Sequence, residues 1–357
     1  MGALRGIRVV EMAGLAPAPF GAMILADLGA DLVQIDRIGS GAAPVSPLDR
    51  GKRRVTLDVK DPADAESLRR LVAKADVFIE PWRPGVAERL GLGPEDLRAQ
   101  HPRLVYARMT GWGQTGPLAP RAGHDINYIG IAGALDMVGR AGERPVPPAA
   151  LLGDMAGGGL LMAMGVLAAL YEREQSGQGQ VVDAAILDGA ALLTTMFYGL
   201  REQGQWPGER GDNLVDGGSF YDTYETADGR YVAVGPVEPQ FFAEMTSILE
   251  LEIDGLPPHV ERRGWAQWKR LLAAKFRERT RDEWAKIFED TDACVTPVLS
   301  TWEAHEHPHN AARGVFIEVD GLRQPAPAPR FDRTPTDLPN PLRDHGRDID
   351  TILTHWN

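Results

Sequence analysis

The chain has 357 residues, 43% of them hydrophobic and 25% charged, the composition of an ordinary globular protein with room for about two domains. Lys and Arg number 38 against 50 Asp and Glu, and the net charge of −12 argues against bulk attraction to nucleic acid or an anionic membrane, so an anionic ligand needs a local cationic patch. A single cysteine, Cys294, excludes an internal disulfide and suits a reducing compartment, so a cytoplasmic location is expected.

The first 110 residues alternate short β-rich runs with helical ones. Strands are predicted over 7–11, 31–36, 54–59, 77–80 and 104–109, with helices over 20–27 and 63–75. Such alternation predicts right-handed βαβ units and a parallel sheet, whose ligands bind outside the carboxyl ends of the strands. Residues 111–153 are rich in Gly and Pro and read as functional loops around one helix near 126–138. The longest apolar stretch, 156–171, is shorter than the roughly 18–20 residues that span a bilayer, and is expected to be a buried helix continuing to 174. A strand over 180–183 and an apolar helix over 184–201 follow, then an irregular Gly-rich span over 204–218.

Composition shifts at Phe220. Strands over 221–225 and 230–234 flank Ala227-Asp-Gly, a hairpin signal, and helices are predicted over 240–249, 265–276 and 281–288 before a β-like run at 293–299. The Pro-rich tail over 321–343 is expected to wrap a surface, and a last helix over 348–356 to dock on the first domain. The fold class expected is therefore α/β, a Rossmann-like large domain with a parallel sheet plus a smaller α+β domain. Its boundaries are 1–184 with 328–357 for the large domain, 221–310 for the small one, a linker over 185–220 and a return linker over 311–327.

No G-x-G-x-x-G spacing follows the first strand, and no P-loop, H-E-x-x-H or G-x-S-x-G motif occurs, which argues against NAD enzymes, ATPases and α/β-hydrolases. Basic residues gather where strands should end: Arg37, then Lys52-Arg53-Arg54 leading into the third strand, Lys60 after it, Trp82 and Arg83 after the fourth, and Arg89 beyond. They suit a polyphosphate, although on composition alone solvated loop charges are the commoner meaning of such residues. Asp154 stands before an apolar helix, where an N-cap carboxylate would be favoured. Gly157, Gly158 and Gly159 would each weaken that helix by roughly 1 kcal/mol, and close approach of a ligand to bare backbone would explain them. His305-Glu-His-Pro-His309 reads as a solvated loop rather than a metal site, and Cys294 as a small buried residue rather than a nucleophile. Glu238, before a predicted helix, is locally an acidic first-turn residue.

Taken together, several stretches resemble the family III CoA-transferase superfamily, and within it the α-methylacyl-CoA racemases of bacterial type. They are Arg8-Val-Val-Glu-Met-Ala-Gly14, Ala26-Asp-Leu-Gly-Ala-Asp-Leu-Val33 with Asp36-Arg37, Arg83-Pro-Gly-Val, Arg108-Met-Thr-Gly-Trp-Gly-Gln-Thr-Gly-Pro117, Gly123-His124-Asp125-Ile126-Asn127-Tyr128, Gly153-Asp154, Gly177-Gln-Gly-Gln-Val-Val-Asp183, Gly235-Pro-Val-Glu-Pro-Gln240 and Asp292-Ala-Cys-Val-Thr-Pro297. His124 with Asp154 and Glu238 carries the likeness to the racemase branch. The resemblance implies an interlocked homodimer with an active site shared between chains, and a CoA thioester on the Rossmann-like domain. It places CoA on Arg37, Leu57, Asp58, Val59, Lys60, Pro81, Trp82, Arg83 and Arg89, and the acyl group against Gly123, Asp125, Ile126, Asn127 and Tyr128. It implies His124 and Asp154 as the base and acid of an α-proton transfer through an enolate, interconverting (2R)- and (2S)-2-methylacyl-CoA, with Glu238 orienting the histidine and backbone N–H groups near Asp154 holding the enolate oxygen. No metal or redox cofactor is implied, CoA being part of the substrate; nor is nucleic acid or membrane insertion. The glycines of the segment Gly111–Gly116, with Gly123 and Gly157–Gly159, are then expected where backbone meets the thioester. The racemase pattern commonly has Asn four residues before the aspartate; here Ala150 stands there. The alternative is a CoA-transferase in which Asp154 attacks the acyl-CoA, and a third reading is a CoA-binding protein without catalysis.

Overall fold

The computed structural model describes residues 2–38, 46–206 and 209–356; positions 207 and 208 of the expected linker lie outside them. Contacts divide the chain into two units. The first comprises Met1–Leu135, Pro147–Thr194 and Ala311–Asn357, the second Asp136–Val146 and Thr195–Asn310. The segment 136–146, expected in the large domain, thus groups with the second unit.

The first unit begins with β1 (Arg8–Met12), α1 (Pro17–Asp27), β2 (Asp31–Arg37), β3 (Lys52–Leu57), α2 (Pro62–Val72) and β4 (Val77–Glu80). It continues with α3 (Val86–Arg89), α4 (Pro94–Gln100), β5 (Val105–Thr110), α5 (Asp125–Ile131), a π-helical stretch Leu151–Leu160, α6 (Leu161–Ser176), β6 (Val181–Ala185) and α7 (Ile186–Leu193). Alternation along each strand builds two cores. Val9, Leu32, Val77 and Val105 point to one face, with Ala18 and Leu25 of α1 and Met162 and Val166 of α6. Their neighbours Val10, Val33, Phe78 and Tyr106 point to the other, with Leu68 and Leu71 of α2. Both faces are covered, so the strands read as almost continuous apolar runs.

The second unit holds α8 (Thr195–Glu202), β7 (Asp222–Glu225), β8 (Tyr231–Val234), α9 (Pro239–Ile248), α10 (Trp265–Phe276), α11 (Arg281–Phe288) and β9 (Val295–Pro297). Its antiparallel sheet runs β7-β8-β9 under an aromatic core of Phe220, Phe242, Trp265, Trp268, Phe276, Trp284 and Phe288. Cys294 departs from the sequence reading. At a φ of 52° it turns outward and is exposed, and its neighbours Ala293 and Val295 fill the core instead.

Across α12 (Pro308–Arg313) the chain re-enters the first unit, which it completes with the hairpin β10 (Phe316–Val319) and β11 (Leu322–Pro325), then β12 (Arg343–Asp344) and α13 (Ile349–His355). The Pro-rich tail thereby supplies an edge strand, because β12 pairs with β3 in parallel. The sheet order is β12-β3-β2-β1-β4-β5-β6, with every pair parallel. From β1 the chain moves outward through β2 to β3, then returns to place β4 on the other side of β1. That reversal makes a crevice at the carboxyl ends of β1 and β4, where open α/β sheets take their ligands.

The helix that carries Asp154 is longer than the apolar stretch within it. Leu151–Ser176 is one continuous helix of 26 residues that holds an 18-residue window with a mean hydropathy of 1.6, enough by length and composition alone to cross a membrane. It packs on the sheet, with Met162, Ala163, Val166, Ala169 and Leu170 in the core.

Candidate active site

A cleft of about 370 Å3 opens at this switch point. Residues 13–15 after β1 and 81–84 after β4 form its edge, and Met109, Thr110, Gly111 and Trp112 at the end of β5 extend it. His124, Tyr128 and Asp154 line the same cleft, with Gly123, Arg121 and Ile186. The structure therefore brings together two of the three expected catalytic residues from two different elements.

His124 is the exposed N-cap of α5, and its N–H donates to Asn127 Oδ1 at 3.0 Å, which closes the first turn. Tyr128, one turn on, is buried; its ring packs edge-on to Trp112 with centroids 4.7 Å apart, and its hydroxyl donates to the Gly123 carbonyl. A Cβ on Gly123 would lie 2.7 Å from that ring. This glycine makes room for Tyr128, and it also lines the cleft.

Asp154 is not an N-cap. It is the fourth residue of the π-helical stretch, whose wide turns are seen in the Met155 N–H donated to the Ala150 carbonyl at 3.2 Å. Ala150 opens the stretch in the left-handed region at φ 63°, a conformation in which Asn is more at ease than Ala. Asp154's own N–H donates to Asp125 Oδ1 at 2.8 Å. The glycines are explained by helix packing rather than by a ligand: a Cβ on Gly153 would strike that same Asp125 oxygen, and one on Gly157 would lie 2.7 Å from the Ala190 nitrogen of α7. Burial pushes the half-buried Asp154 carboxyl up from its ordinary value; the Asp125 charge adds to the rise, and His124 opposes it. With the Asp154 and Met155 N–H groups both engaged, they are not donors for an enolate oxygen as the sequence implied.

Glu238 belongs to the second unit, where it is the exposed N-cap of α9; burial pushes the Cys294 thiol up and the Glu238 charge adds to the rise. Of the residues expected to bind CoA, Pro81, Trp82 and Arg83 line the cleft, and of those expected against the acyl group, Gly123 and Tyr128; Arg37, Leu57, Asp58, Val59, Lys60, Arg89, Asp125, Ile126 and Asn127 are not among its lining residues. Arg37 and Leu57 end β2 and β3, so with Asp58, Val59 and Lys60 they share the carboxyl edge of the sheet with the cleft. Arg89 closes α3 and is exposed. Lys52, Arg53 and Arg54, which the sequence grouped with these cations, start β3 at the opposite edge and are engaged there. Lys52 is fully buried against Glu11 at 2.7 Å, Arg53 pairs with Asp31, and Arg54 with Asp49 at 3.3 Å. Among the lining residues that the sequence did not single out are Arg121 and Trp112, because nothing in a Gly- and Pro-rich loop marks which side chain turns inward.

Comparisons with known proteins identify the family. The sequence profile of CoA-transferase family III matches residues 4–348. Alpha-methylacyl-CoA racemase of Mus musculus is 48% identical over 344 residues, covering 96% of this chain and 89% of that protein. The Homo sapiens alpha-methylacyl-CoA racemase is likewise 48% identical, over 96% of this chain and 90% of its own length. Among solved structures, a CaiB/BaiF family protein from Brucella suis superposes with a TM-score of 0.86 at 26% identity, covering both chains completely.

Proposed function

The chain belongs to CoA-transferase family III, and from that premise we propose that it is a racemase of 2-methylacyl-CoA thioesters, in which His124 and Asp154 move the α-proton. The observation that carries the reading is that these two groups, from α5 and from the π-helical stretch, line one cleft at the switch point of the sheet. The 48% identity with two alpha-methylacyl-CoA racemases supports the same branch of the family.

Inverting the α-carbon requires a base on one face of a planar enolate and an acid on the other, with the roles exchanged in the reverse direction. The acid role needs a carboxyl that can carry a proton, and the upward push on Asp154 from burial and from Asp125 favours that form. The enolate oxygen needs a hydrogen-bond donor within the cleft. CoA lies along residues 81–83 with Arg37, Lys60 and Arg89 on the same sheet edge. Such a reaction draws on a base, an acid and a hydrogen-bond donor, and needs no metal or redox cofactor. A cytoplasmic homodimer, with Glu238 of one chain orienting His124 of the other and with neither nucleic acid nor membrane insertion involved, is part of this reading.

A single epimer of a 2-methylacyl-CoA incubated in D2O, with and without a free acid acceptor, tests it. Deuterium at the α-carbon together with epimerisation is the expected result. Transfer of CoA to the free acid without α-exchange would instead make the protein a transferase using Asp154 as nucleophile. Neither event would leave a binding protein.

Asp125→Asn separates the support of Asp154 from its tuning. The amide oxygen still accepts the Asp154 N–H, so the turn holds, while the like charge that raises the Asp154 carboxyl disappears. In the direction in which Asp154 is the acid, activity falls as pH rises through its titration. That limb of the kcat/KM profile is expected to move to lower pH, with less than about tenfold loss at the optimum. An unmoved limb would remove Asp125 from the tuning.

A further inference from the structure

The end of β4 is held from beneath by a buried charge cluster that the proposed proton transfer does not use. Glu80, the last residue of β4, is fully buried. Its Oε2 accepts the Trp82 N–H at 2.7 Å, and its Oε1 accepts Arg108 Nε at 2.9 Å from the adjacent strand β5, where the two residues stand opposite each other. Arg108, itself 6% exposed, also donates through Nη1 to Glu88 Oε1 of α3 at 2.8 Å. One guanidinium thus ties the end of β4, the body of β5 and α3 together.

A buried ion pair of this kind is weak as a source of stability, because desolvating both charges offsets most of their attraction. Burial is the larger effect on Glu80 and pushes its carboxyl up to about 7 in spite of Arg108 and the Trp82 N–H. Its hydrogen bonds, however, have a consequence for the cleft. The Trp82 N–H fixes the start of the turn whose residues Pro81, Trp82, Arg83 and Pro84 all line it.

We propose that Glu80 is a positioning residue for the CoA end of the substrate: by holding the Trp82 N–H and Arg108 at once, it fixes the 81–84 turn in the pose that receives the nucleotide part of the thioester. This rests on reading the cleft as a CoA thioester site. Glu80 touches no substrate and acts only through the turn.

Free CoA is the probe, titrated calorimetrically into the full-length protein, with KM and kcat for a 2-methylacyl-CoA measured in parallel. Glu80→Ala is expected to weaken CoA binding about tenfold and raise KM in step, with kcat held within about twofold, the scale of one hydrogen bond to a charged acceptor. Arg83→Ala should cost much less in the Glu80→Ala background than in wild type, because the turn that presents Arg83 is already released. Penalties that simply multiply, or a Glu80→Ala protein that binds CoA as wild type does, would overturn the proposal. If Glu80→Ala does not fold, Glu80→Gln and Glu80→Asp carry the test. Gln keeps the reach and one acceptor oxygen, which serves the Trp82 N–H that sets the turn while its NH2 replaces the oxygen facing Arg108, and it should bind within about threefold of wild type. Asp keeps the charge but is one methylene short of spanning both partners, and should lose about fivefold or more. The opposite order would show that charge matters rather than reach, and would also overturn it. A wild-type protein that binds no CoA would instead overturn the functional reading itself.

Discussion

His124→Ala and Asp154→Ala are each expected to lower epimerisation of 2-methylacyl-CoA by at least about 10²-fold, the contribution of one positioned acid or base. The sharper outcome lies in proton exchange. If the two groups serve opposite faces of the enolate, each single variant keeps one of them. His124→Ala should then still exchange the α-hydrogen of the epimer that presents it to Asp154, and Asp154→Ala that of the other epimer. Neither variant should convert one epimer to the other, since the face lacking its group cannot be reprotonated. The measurement is solvent deuterium at the α-carbon, followed for each pure epimer in D2O. Wild-type epimerisation in either variant would refute the two-base scheme, and loss of exchange from both epimers in both variants would show that the groups act together on one face. Asp154→Asn, which keeps the volume of the side chain and can still point an amide into the cleft, should behave as Asp154→Ala does, because an amide neither accepts nor gives the α-proton.

The sheet was legible because its strands are buried on both faces. Runs such as Val9-Val10, Leu32-Val33 and Val77-Phe78-Ile79 have no other use in a chain with so many charges, and each falls in a strand. The alternation of strands and helices put the ligand site at the carboxyl ends of the strands, but the strand order that makes the switch point came only with the fold. Lys52 and Arg54 show the limit. A basic residue at the start of a strand reads as a solvated loop charge, and only the register of β3 beside β2 brings Glu11, Gln34 and Asp49 to neutralise and hydrogen-bond the pair in the interior. β12 was hidden for a related reason: two residues of a Pro-rich tail carry no periodicity, and they are a strand because β3 offers an unpaired edge. At the site, the identities of His124 and Asp154 were visible, but the π-helical turn was not. It depends on glycines that let α1 and α7 approach, and the sequence showed the glycines without showing what approaches them.

Trp356→Ala is expected to cost about 4 kcal/mol of stability in the first unit, although it is the second-last residue of the chain. Its side chain is 2% exposed and lies in the core beneath the sheet with Ile349, Ile352 and Leu353 of α13. Truncating a buried Trp removes its transfer free energy and leaves a cavity, about 3–5 kcal/mol in all. Two polar arrangements depend on the same ring. Its Nε1–H donates to Asp31 Oδ2 at 2.7 Å, and the guanidinium carbons of Arg8 and Arg53 lie 5.8 and 5.6 Å from its centroid. Each is worth about 1 kcal/mol, and the loss of the Asp31 bond is softened by the Arg53 that still pairs with that carboxylate. Against a typical total of about 5–15 kcal/mol, such a loss removes a large part of the margin by which the unit stays folded. Trp356→Phe keeps most of the apolar area and gives up the N–H, so it should cost only about 1–2 kcal/mol. Urea unfolding of the two variants decides the matter. A Trp356→Ala unfolding free energy within about 1 kcal/mol of wild type would mean that α13 does not contribute to the core. Because Trp356 lies at the start of β2, at the edge of the sheet away from the cleft, kcat for the folded fraction should be unchanged in both.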